Sequence, residues 1–210
     1  TLFRSLDPVP CVVMSLDDVS AASDARDSGV FHDRESSAFH LLLREQVRHE
    51  FTASQQYIAI AVHFDGADLP QLAARFYAQA DEERGHAMMM IQYLLDNDLE
   101  VRVPGVDDVV NAFGSVREPV ELALRQEKKV TEQITTLART ARDTGDYPGE
   151  QFVQWFLAEQ IEEVASMTTL LTIVDRAGEN LFHIEDFIAR EMPSESRGGG
   201  NAPRAAGGLA

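Results

Sequence analysis

The sequence predicts an all-α protein: a four-helix bundle with one long crossover connection and a short fifth helix at the C-terminal end. Three observations carry this. Apolar residues recur every three or four positions through four long stretches, the period of one helix face. The breaks between stretches are short, long and short in turn. Each apolar stripe is also interrupted near mid-length by a carboxylate, so four helices can bring polar groups to one level of a shared core.

The first stretch runs from Phe39 to Phe64, with Leu43, Val47, Glu50, Ser54, Tyr57 and Ala61 on one face. Asp65-Gly66-Ala67-Asp68-Leu69-Pro70 follows, a turn whose Pro suits a helix start, so the second helix returns antiparallel to the first. Its stripe is Phe76, Ala80, Glu83, His86, Met90 and Leu94, and the i, i+3 spacing lets the Glu83 carboxylate and the His86 imidazole converge. The next connection, from about Asp98 to Arg117, contains the extended Val101-Arg102-Val103-Pro104-Gly105. About 20 extended residues can span a 28-residue helix of roughly 40 Å, which permits a crossover.

The third stripe is Val120, Leu124, Glu127, Val130, Ile134, Ala138 and Ala141. Gly145-Asp146-Tyr147-Pro148-Gly149 separates it from the fourth, Phe156, Gln160, Glu163, Met167, Leu170 and Val174. After Gly178-Glu179-Asn180, Leu181 to Glu191 has room for a short helix whose Phe182, Ile184, Phe187 and Ile188 need a surface to bury against. The helical pattern makes one domain over residues 37–192. Residues 1–36 are read as a mobile extension and residues 193–210, rich in Gly, Ala and Pro, as a flexible tail.

Composition excludes several classes. The formal net charge of -17 lacks the basic footprint that nucleic acid requires and favours cations. No apolar run approaches the ~20 residues that span a bilayer, so no membrane partner is expected. The Cys11-Val12-Val13-Met14 cluster, with Pro8 and Pro10 before it and Asp17 and Asp18 after it, lacks the apolar core of a signal peptide. A single cysteine excludes an intramolecular disulfide and fits a reducing cytoplasm.

Buried carboxylates repel each other and are costly without partners, so the polar level makes sense if cations neutralise it. Oxygen ligands with one imidazole suit iron or manganese, whereas structural zinc favours closely spaced cysteines. The expected arrangement has Glu50, Glu83 and His86 holding one iron, Glu127 and Glu163 holding the second, and Glu83 bridging. Two metals about 3.5 to 4 Å apart can engage both ends of dioxygen.

His49-Glu50-Phe51, Glu82-Glu83-Arg84-Gly85-His86, Gln126-Glu127 and Glu159-Gln160-Ile161-Glu162-Glu163 closely resemble the bacterial-type non-haem ferritins. So do the 41 residues from His86 to Glu127 and the 36 from Glu127 to Glu163. The resemblance spans about Ser37 to Glu191. It implies a ferritin-like bundle and an iron-storing ferroxidase that oxidises Fe(II) with O2 or H2O2 and keeps the ferric mineral inside a homo-oligomeric cage of twenty-four subunits. By the same resemblance Glu50, Glu83, His86, Glu127 and Glu163 are the ferroxidase ligands. Gln160 is then a weak ligand or hydrogen-bond partner of the second iron, and Glu82, Glu159 and Glu162 form a third iron site.

Tyr57 matches a tyrosine that supplies an electron in the family, although a space-filling core ring is an equal reading, as it is for Trp155. Haem is not expected. Haem-binding relatives carry Met where this chain has Arg84, and a second Glu-x-x-His where it has Gln160 and Glu163. Met88, Met89 and Met90 are consecutive, so only one faces any given direction. The alternative function is a non-storing di-iron oxidoreductase such as a rubrerythrin-like peroxidase, which calls for a Cys-x-x-Cys module or a second Glu-x-x-His. A non-catalytic bundle calls for a lost ligand. The tail is open to two readings, an inert extension and a segment that docks a partner.

Overall fold

The computed structural model describes residues 37–192 and 202–207. The expected N-terminal extension lies outside them. Five helices and no strand occur among the described residues: α1 Ala38–Asp65, α2 Pro70–Asp96, α3 Arg117–Asp143, α4 Tyr147–Ala177 and α5 Leu181–Glu191. α1 packs along α2, α3 along α4, and α1 against α3, while α5 rests on α2 and α4. The long connection, residues 97–116, makes the crossover.

Every position of the four predicted stripes is buried. α1 begins at Ser37, whose hydroxyl accepts the His40 N–H at 3.2 Å. Asp68 takes a positive φ of 56° in the tight connection to α2, where Pro70 occupies the first helical position. Leu69 offers α2 no side-chain cap; Glu185 of α5 does so instead, accepting from the backbone N–H of Gln71 at 2.8 Å and of Leu72 at 3.0 Å. The crossover is fastened to α1 by Arg48, Thr52 and Gln56, one turn apart. Arg48 pairs with Asp107, the Thr52 hydroxyl accepts from Asp107 N–H, and the Gln56 amide both donates to and accepts from the Val110 backbone at 2.8 Å.

One sequence boundary needs correction. Tyr147, Pro148 and Gly149 are not a break but the first turn of α4, capped by Asp146, whose carboxylate accepts from Gly149 N–H at 2.9 Å. Glycine is required there because a Cβ would lie 2.6 Å from the Phe39 ring. The apolar face of α5 is divided. Ile184 and Ile188 fill the subunit's own core, whereas Phe182 is 89% exposed. Of the C-terminal segment, residues 202–207 are described, and there Ala206 donates its N–H to the Met88 carbonyl at 3.0 Å and joins the apolar core.

The core has two apolar ends. One gathers Tyr57, Ile60, Phe64, Leu72, Phe76, Leu170 and Ile184; the other gathers Phe39, Leu43, Met90, Leu94, Ile134 and Phe156. The buried polar side chains that interrupt the stripes lie between them.

Candidate metal centre

Each long helix contributes to this level. Glu50 from α1, Glu83 from α2, Glu127 from α3 and Glu163 from α4 are each 1% exposed, and His86 is 2% exposed. Ligand atoms of Glu50, Glu83 and His86 all lie within 4.8 Å of one another. His86 Nδ1 is 3.3 Å from Glu83 Oε2, so the i, i+3 spacing does make the pair converge. The edges of Trp155 and Phe156 hold the imidazole, each ring centre 5.6 Å away.

Hydrogen bonds orient the carboxylates but do not saturate them. Gln46 Nε2 donates to Glu50 Oε1 at 2.9 Å. Gln79 Nε2 donates to Glu83 Oε1 at 3.2 Å and to Glu163 Oε2 at 2.9 Å. The Tyr57 hydroxyl donates to Glu127 Oε1. Glu50 Oε2, Glu127 Oε2, Glu163 Oε1 and His86 Nε2 remain buried with no partner in the protein. An unpartnered buried polar atom is costly. Three carboxylate oxygens and one imidazole nitrogen are a donor set suited to divalent iron.

Electrostatics tell the same story. Burial pushes Glu50 and Glu163 up to about 8, reinforced by the charge of Glu83. Burial, with the charges of Glu83 and Glu163, also raises Glu127 well above the usual carboxylate range. Burial opposes ionisation of Glu83 and His86 as well, but their mutual hydrogen bond and attraction win. Glu83 falls below the usual range and His86 rises to about 10. The metal-free centre is thus an ion pair among neutral acids, as like charges at close quarters demand. The Tyr57 phenol is held well above its ordinary value by burial and by Glu127.

A second group brings Glu82, Glu159 and Glu163 within 4.8 Å of one another, with Glu82 and Glu159 half-buried. Sequence reading places Glu162 in this set. Glu163 joins Glu82 and Glu159 in this group, and Glu162 is exposed on the same turn. Gln160 is 3% exposed and accepts from the Thr131 hydroxyl at 3.0 Å, a contact that orients its amide. Sequence reasoning missed Gln46 and Gln79, although each stands four residues ahead of a ligand glutamate, the spacing at which helix side chains meet.

Residues 41–190 match the family model of the ferritin-like domain. The chain belongs to the ferritin family. Iron storage is the function that this membership carries. Among similar ferritins, Ferritin BfrB of Mycolicibacterium smegmatis is 68% identical over 170 residues, covering 81% of this chain and 93% of the relative. Ferritin BfrB of Mycobacterium tuberculosis is 60% identical over the same length with the same coverage. A bacterial non-heme ferritin of Staphylococcus aureus is 33% identical over 138 residues, 66% of this chain and 83% of its own. Among solved structures, the open pore ferritin of Archaeoglobus fulgidus superposes with a TM-score of 0.70 at 26% identity, covering 75% of this chain and 99% of its own. No helix among the described residues is long and apolar enough to cross a membrane.

Proposed function

We propose that this ferritin oxidises Fe(II) at a di-iron ferroxidase centre and stores the product as a ferric mineral within a hollow homo-oligomer. The observation that carries the reading is the set of four partnerless atoms at one level of the core, on Glu50, Glu127, Glu163 and His86. Glu50, Glu83 and His86 hold one iron, Glu127 and Glu163 the other, and Glu83 bridges. Each Fe(II) gives up one electron. Dioxygen takes the two electrons with two protons and leaves as hydrogen peroxide; with peroxide as the oxidant, the O–O bond breaks and two waters form.

Glu82, Glu159 and Glu162 supply a further iron position, which Glu163, within ligand distance of Glu82 and Glu159 and also a ligand of the second iron, links to the centre. Gln160 acts as a hydrogen-bonding neighbour of the second iron. Tyr57, bonded to Glu127, stands beside the second iron to supply an electron in place of one from Fe(II) when only one iron is bound. The net charge of -17 favours Fe(II) at entry and nucleation. A cage of twenty-four subunits in a reducing cytoplasm completes the reading. The exposed Phe182 on α5 offers that assembly an apolar contact.

Glu83→Ala tests the centre. It removes the bridging carboxylate, so fast Fe(II) oxidation in air is lost while the oligomer, followed by light scattering, still forms. Unaltered oxidation kinetics would sink the assignment.

A further inference from the structure

We infer that Gln46 and Gln79 are positioning residues that tune the two metal positions unequally. This rests on the di-iron reading above. Both are buried, at 2% and 5% exposure, and each stands one turn ahead of a ligand on its own helix, Gln46 before Glu50 and Gln79 before Glu83. A buried amide is costly unless its hydrogens are used. Gln46 Nε2 reaches Glu50 Oε1 at 2.9 Å and Gln133 Oε1 at 3.4 Å, with its own oxygen 3.4 Å from His49 Nδ1. Gln79 Nε2 reaches Glu83 Oε1 at 3.2 Å and Glu163 Oε2 at 2.9 Å.

Each amide occupies one oxygen of a terminal carboxylate and leaves the other partnerless, Oε2 of Glu50 and Oε1 of Glu163. The amides therefore fix which oxygen is offered to a cation. Being neutral, they orient a carboxylate without competing for its charge, as a lysine or arginine would. They also divide the labour. Gln46 touches a ligand only of the position that contains His86, whereas Gln79 touches Glu83, common to both positions, and Glu163, a ligand only of the position shared with Glu127, so its loss falls harder on that second position.

Partners that orient metal ligands are worth ~10–100-fold in affinity. The test uses the whole assembled protein and Co(II) without oxygen, comparing wild type, Gln46→Met and Gln79→Met, unbranched side chains of similar size that lack the amide donors. Anomalous diffraction from crystals soaked at limiting Co(II) reads which position fills, and solution titration reads the affinity. Gln46→Met should weaken the His86 position about tenfold and Gln79→Met the Glu163 position about tenfold, with thermal midpoints close to wild type. If either variant does not assemble, Gln→Asn at that position keeps the amide but withdraws it by one carbon, and carries the same expectation. Wild-type filling of both positions in both variants would overturn the inference, and so would equal loss at both positions. If wild type itself takes no pair of ions, it is the di-iron reading that fails.

Discussion

Loading the centre should expel protons, and the number follows from the structure. At pH 7 the metal-free site holds protons on Glu50 and Glu163, both near 8, and on His86, near 10. Glu127 is raised as well. Two divalent ions need all four groups in their basic forms. Those values give a release of about three protons per subunit at pH 7 from Glu50, Glu163 and His86, to which the raised Glu127 adds. By pH 9 the first three should contribute only about one. The assay is anaerobic titration with Fe(II) or Co(II) in a weakly buffered solution containing an indicator dye, repeated at both pH values. A release of only about one proton per subunit at pH 7, the share of His86 alone, would mean that the carboxylates are already ionised, and would refute the neutral-acid account.

The same shifts set the pH dependence of the metal-free fold. Folding raises Glu50 and Glu163 from the ordinary carboxylate value to about 8, so their neutral forms are favoured in the folded state. That stability is fully present below about 4.5 and is lost as pH rises through about 8. The thermal midpoint of metal-free protein should therefore fall between pH 5.5 and 8.5, and saturating Co(II) should reverse the trend; a midpoint rising with pH without metal would contradict it. Tyr57→Phe deletes the donor to Glu127 Oε1 and keeps the ring. It should cost about 1–2 kcal/mol in thermal unfolding and slow Fe(II) oxidation several-fold, while an unchanged rate would confine Tyr57 to packing. Gly149→Ala places a methyl 2.6 Å from the Phe39 ring. A cost of about 1–3 kcal/mol is expected by calorimetry, with oxidation kinetics per folded subunit unchanged.

Much of this molecule is legible in its sequence because helix periodicity is a strong signal and the carboxylates violate it at matching heights. Glu50, Glu83, Glu127 and Glu163 stand out as charges where methyls belong, and the structure buries all four. Gln46 and Gln79 do not stand out, because a glutamine beside an apolar stripe also suits a solvated helix edge. Only the neighbours Gln133 and Glu163, from other helices, turn them inward. The approach of Glu163 to Glu82 and Glu159 has a similar cause, since it depends on where α2 places Glu82. Gly149 reads as a helix breaker until Phe39 is seen against it. The seat of Ala206 on Met88 combines a backbone hydrogen bond with burial in the apolar core, neither of which composition encodes.

The most direct test of storage coupled to oxidation is the Fe(III) kept in solution per subunit after excess Fe(II) is added to the metal-free protein in air. Carboxylate sites alone hold about two or three irons. Retention far above that number, with the iron co-eluting with the oligomer, is the predicted result. Uptake that stops at about two per subunit, with the remainder precipitating, would leave a di-iron centre without a mineral store and contradict the account.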